Sequence, residues 1–128
     1  MQLTESHATV GATPGRVPSL LGVLGIGDLA SGAFALADAA WLGRQLDLGA
    51  TTVRLIGVFL LVLGLEKVLL RDRRTMVQVS VVVEALFGLA ALDVALMADP
   101  TTFGTAVLIG TAVACEAVAL TLYALTRR

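Results

Sequence analysis

Leu20–Leu42 reads LLGVLGIGDLASGAFALADAAWL, and the fold turns on how this stretch is read. It is long and apolar enough to cross a bilayer, which takes about 20 mostly apolar residues. It also carries Asp28 near its middle and Asp38 near its end. A carboxylate at membrane depth is costly and usually faces a bundle interior or a wet cavity, where it serves a function. Ala35-Leu36-Ala37 before Asp38 resembles a signal-peptide cleavage site, but an aspartate inside the would-be apolar core argues for a retained span.

Three further apolar stretches come after it, so the expected architecture is an all-α integral membrane four-helix bundle. Its spans are expected at about 20–42, 52–70, 75–98 and 103–125, as one domain over 18–128 behind a flexible tail over 1–17. The tail is small and polar and holds His7, the only histidine. Pro18 suits the first turn of a helix, where its missing N–H costs nothing. The chain of 128 residues is 57% hydrophobic with mean hydropathy +0.90, above the range of soluble domains. The net charge of −1 supplies no basic field for nucleic acid. The lone Cys115 has no partner for an internal disulfide.

The turn Arg71-Asp72-Arg73-Arg74 and the terminal Arg127-Arg128 fall on one side of a four-span chain, against Arg44 and Arg54 on the other. Basic residues in short loops mark the cytoplasmic side, so a multi-pass cell-membrane protein with both termini cytoplasmic is expected. Lys67, one turn from Arg71, is expected to snorkel to that same surface.

A faint repeat joins the halves. Asp28-x-x-x-Gly32-x-x-Ala35-Leu36-x-Asp38 in helix 1 parallels Glu84-x-x-x-Gly88-x-x-Ala91-Leu92-Asp93 in helix 3. Leu55-Ile56-Gly57 in helix 2 parallels Leu108-Ile109-Gly110 in helix 4. The bundle then reads as two similar helical hairpins.

The candidate chemistry is acidic. Asp28, Glu66, Glu84 and Glu116 give one carboxylate per expected span at similar depth, and Asp38 and Asp93 form an outer pair. Desolvation and neighbouring negative charge both favour protonation, so some of the four are expected to be neutral acids beside ionised ones. Such a pair is acid–base machinery. Asp28, Glu66, Glu84 and Glu116 are the candidate catalytic residues. Gly32, Asp38, Asp93 and Tyr123 are candidate substrate-binding positions, with Gly25, Gly32, Ala35 and Ala39 making a low-bulk face beside Asp28. Without histidine in a span no metal site is expected, and no phosphate loop, nucleophile elbow or redox motif implies a cofactor.

Three function classes fit. The leading expectation is an acid–base enzyme acting on a lipophilic small molecule by cyclisation, isomerisation or epoxide opening. The others are a proton- or cation-coupled transporter, expected as a homo-oligomer, and an accessory subunit whose acids pair with a partner's basic groups. The bilayer is the common partner of all three.

Val53-Arg54-Leu55-Ile56-Gly57 and Leu63-Gly64-Leu65-Glu66-Lys67 together resemble the Arg-x-x-Gly … Gly-x-x-Lys pattern of the DoxX-like small four-helix membrane proteins. The resemblance covers helix 2 and the helix count. It implies a four-helix bundle and carries over no catalytic residue, and several intramembrane acids depart from that pattern.

Overall fold

The computed structural model describes residues 16–127, so most of the expected tail, His7 and Arg128 lie outside the described residues. Among the described residues the chain is all-α, with five helices and no strand. They are α1 (Val17–Ala37), α2 (Ala39–Leu46), α3 (Ala50–Leu69), α4 (Arg74–Met97) and α5 (Thr102–Thr126). Helices α1, α4 and α5 are long and apolar enough to cross a membrane. Helix α3 has 20 residues but carries Arg54, Glu66 and Lys67. A fourth crossing is reached if α2 and α3, bent by 108° at their junction, count as one span.

Three of the four expected spans match a helix to within two residues at each end. The first does not run through to Leu42. It breaks at Asp38, whose φ of −136° and ψ of 48° leave the helical region. The chain then enters the separate eight-residue α2. Its Ala39, Gly43 and Leu46 point inward while Arg44 is exposed, the 3- and 4-residue spacing of a one-sided helix. A left-handed Asp47 (φ 57°) ends α2, and Leu48 N–H donates to the Gly43 carbonyl at 2.8 Å. A Cβ at Gly43 would meet the Leu48 carbonyl oxygen at 2.6 Å, so the turn requires glycine.

The long helices pack as two close pairs. Small residues let two helix backbones come into direct contact. Gly25 of α1 lies on Gly64 of α3, and Gly32 lies on Gly57. A Cβ at Gly25, Gly32 or Gly64 would stand 2.6–2.7 Å from the facing carbonyl oxygen. Both helices thus bring two glycines seven residues apart to one antiparallel seam. In the second pair Gly88 of α4 packs on Ala112, Cys115 and Glu116 of α5. Asp28 and Glu84, Gly32 and Gly88, and Ala35 and Ala91 hold corresponding inward positions. The helix 2 and helix 4 part of the repeat has no such correspondence, since Gly57 is in the seam and Gly110 faces open space.

The pairs meet at their two ends. At the basic end, Val17, Leu21, Leu63, Met76, Val77 and Leu122 form one core. At the other end α2 closes the gap, with Leu46 against Ala91, Leu108 and Ala112. A polar latch holds it there. Thr101 N–H donates to the Gln45 carbonyl at 2.9 Å and its hydroxyl to Gln45 Oε1 at 2.7 Å. Asp99 N–H donates to Asp47 Oδ2 at 2.9 Å. Outward faces are apolar, with Val23, Leu55, Leu96 and Leu120 each at least 66% exposed.

Candidate functional site

Between the two end cores a buried ion triad joins three helices. Lys67 Nζ donates to Asp28 Oδ2 at 2.7 Å and also to Glu84 Oε1. Lys67 has no exposed surface, and the Glu84 and Asp28 side chains are 10% and 20% exposed. Lys67 therefore does not snorkel to the Arg71 surface. Helical side chains lean toward the N-terminus of their own helix. Lys67 sits near the C-terminus of α3, so its stem is directed back into the bundle. The Gly25–Gly64 contact sets the rest, because a Cβ on Gly25 would touch the Lys67 Cβ at 3.0 Å. The ammonium then reaches Asp28, one turn further along α1.

The four carboxylates expected to form one centre are dispersed. Asp28 and Glu84 meet at Lys67. Glu66 is exposed in the last turn of α3, because neighbours on a helix are about 100° apart and Lys67 takes the inward direction. Glu116 is partly buried in the α4–α5 seam, its Oε1 packed at the Gly88 position without a hydrogen-bond partner. Asp38 and Asp93 are exposed. Tyr123 is also exposed, and its hydroxyl accepts from Arg127 at 3.1 Å, away from the triad. Gly32 is filled against by the Gly57 carbonyl and Leu61, so it is a helix contact with no room beside it. Lys67 is the residue that reasoning from the acids alone missed. Its signal was present, since Gly57, Gly64 and Lys67 lie on one face of one helix.

Beside the triad lies a cavity of about 580 Å³ between the helix pairs. Its polar lining is Asp28, Ser31, Glu84, Thr111 and Cys115; every other lining residue is apolar, including Phe34, Phe87 and Phe103. Lys67 stands behind the two acids, outside the lining. Only one Asp28 oxygen is engaged by Lys67; the other has no partner among the described residues. Trp41 of α2 packs edge-on to Phe34 at 6.2 Å and tilts on Phe103 at 5.6 Å. Phe59 stacks on Phe87 at 6.4 Å across the α3–α4 side. Ser80, one turn before Glu84, is fully buried with its hydroxyl unpartnered. No group of three or more His, Cys, Asp or Glu side chains among the described residues is arranged to hold a metal ion.

The volume is that of a small-molecule pocket, which is typically apolar with a few placed polar groups. No protein-family model matches the chain, and no curated protein or solved structure matches it.

Proposed function

We propose that the chain is a multi-pass membrane protein that holds a lipophilic small molecule in the cavity and performs acid–base chemistry on it at Asp28. The observation that carries this reading is Asp28, fixed by a buried lysine and with one oxygen left over, on the wall of a largely apolar cavity that Glu84 also lines. Asp28 is the group that meets the substrate. Its unpartnered oxygen takes a proton from the substrate and returns it at another atom or to an opened ring oxygen. Lys67 and Glu84 are positioning residues. They hold Asp28 in one rotamer and offset the change of charge as the proton moves. The apolar walls keep water from the intermediate.

The basic turn at Arg71–Arg74 and Arg127 support a cytoplasmic end there, with α2 and the Gln45–Thr101 latch on the opposite side. Helix α3 is taken as the fourth crossing. It pairs with α1 along its length, and the triad neutralises the Lys67 charge that otherwise counts against it.

The test compares lipid extracts of membranes bearing the wild-type chain with those bearing Asp28→Asn, by mass spectrometry. A compound that accumulates with the wild type and is lost in Asp28→Asn is expected. Extracts that do not differ refute the catalytic role of Asp28.

A second reading, a proton-coupled transporter, is favoured by a separate observation. The triad ties the pairs together, with Lys67–Asp28 inside α1–α3 and Lys67–Glu84 crossing to α4. Protonation of either acid loosens that tie. Uptake into vesicles driven by a pH gradient and lost in Glu84→Gln would place this reading first. Four helices are few for a complete path, so it implies a homo-oligomer.

A further inference from the structure

We infer that the cavity selects a lipophilic organic monocation, an aliphatic amine in its ammonium form, seated with its charged head at Asp28. The inference rests on the cavity-binding part of the proposed function and adds the charge and orientation of the ligand.

Charge balance points to a cation. One ammonium faces two carboxyl groups, and with both ionised the triad holds one negative charge in excess. Lys67 has no exposed surface and stands behind the acids. The wall that a ligand meets is therefore acidic, although a lysine is part of the site. A cationic head on the free Asp28 oxygen makes a charge-assisted hydrogen bond in a setting of low dielectric, where such bonds are strongest. An anionic head would meet two carboxylates with the lysine screened from it.

The distribution of polar and apolar lining sets the orientation. Ser31 lies three residues from Asp28 on α1, and Thr111 lies one turn from Cys115 on α5. Ser31 thus adds a hydroxyl close to Asp28 along α1. The end under α2 is lined by Phe34, Leu42, Leu46, Leu48, Phe103 and Val107, without a polar side chain. A ligand with one polar head and one apolar body fits only with its head toward Asp28.

The probes are decylamine, decanol and decanoate, which share one apolar body and differ in head charge. Each is titrated into the full chain reconstituted in phosphatidylcholine vesicles. The readout is fluorescence of Trp41, the only tryptophan, which packs on the cavity residues Phe34 and Phe103. The ratio of amine to alcohol affinity is compared between the wild type and Asp28→Asn, which cancels partition into lipid. Wild type is expected to favour the amine about 10-fold more than Asp28→Asn does, with decanoate weakest. Glu84→Gln removes the same charge and should reproduce the loss if Asp28→Asn does not fold. Ser31→Phe narrows the cavity beside Asp28 and should weaken saturable binding of all three. An amine preference equal in wild type and both acid variants overturns the cation inference, while binding weakened by Ser31→Phe keeps the cavity reading. No saturable binding by any probe overturns both. Amine selectivity without any lipid product lost in Asp28→Asn keeps the inference and removes the enzyme.

Discussion

Replacing Lys67 with Met tests the triad most directly. Lys67 is fully buried and holds two carboxylates on two other helices. Methionine keeps the stem volume and removes the ammonium. Removing one member of a buried ion pair typically costs about 3–5 kcal/mol, because the remaining charge is left without its partner. Here two carboxylates are left, which pushes the cost up. Asp28 is 20% exposed on the cavity wall, which relieves part of it. The expected loss is about 3 kcal/mol, at the lower end of that range. Asp28→Asn should cost less, about 1–2 kcal/mol, since Lys67 keeps Glu84. The triple variant Asp28→Asn, Lys67→Met, Glu84→Gln should recover to within about 1 kcal/mol of wild type, because removing all the buried charge is often neutral. The assay is equilibrium unfolding in mixed lipid–detergent micelles, followed by helical circular dichroism and Trp41 fluorescence. A Lys67→Met protein within about 0.5 kcal/mol of wild type would refute the reasoning and return Lys67 to the membrane surface, where charge changes are nearly neutral.

Gly64→Ala should destabilise by about 1–3 kcal/mol, since its Cβ meets the Gly25 carbonyl at 2.6 Å and forces α1 and α3 apart, whereas Gly110→Ala meets nothing within 4 Å and should be neutral or stabilising. The same unfolding assay checks both; equal effects would dissolve the glycine seam. Thr101→Ala removes the N-cap of α5 (Gly104 N–H to Thr101 Oγ1, 3.0 Å) and the hydroxyl's bond to Gln45 Oε1, leaving the backbone bond to the Gln45 carbonyl, and should cost about 1–2 kcal/mol while quickening hydrogen exchange of the α2 amides. Glu66→Gln should shift stability by no more than about 0.5 kcal/mol, in contrast to Glu84→Gln, because Glu66 is exposed and outside the triad. Matching losses in the two variants would revive the four-carboxylate centre.

Much was legible in the chain itself. Apolar run lengths placed three of the four expected segments on helices, because a long apolar stretch satisfies its backbone hydrogen bonds most simply within a helix. The spacing Asp28–Gly32–Ala35 against Glu84–Gly88–Ala91 marked corresponding faces of α1 and α4, since 3- and 4-residue steps fix a helical face whatever lies opposite. The same rule was silent on depth and direction. Glu66 and Lys67 are adjacent, and hydropathy weights them alike; the face shared by Gly57, Gly64 and Lys67 marks Lys67 as the inward one only once α1 is seen to pack on those glycines.

The break at Asp38 shows the same division. A carboxylate near the end of an apolar run is compatible with a helix that continues and with one that stops. The chain stops there because α2 gains a new set of contacts, Leu46 on the α4–α5 pair and Gln45 on Thr101, which no local pattern records. The amino-acid sequence thus determined the helices, their small-residue faces and the presence of costly buried acids, all properties of one segment and its solvent. The tertiary structure alone decided which acids share a cation, where the cavity lies and which Asp28 oxygen remains open to it. Those depend on distances between residues such as Asp28, Lys67 and Glu84, which lie on three different helices and meet only when the glycine seams have set the helix spacing.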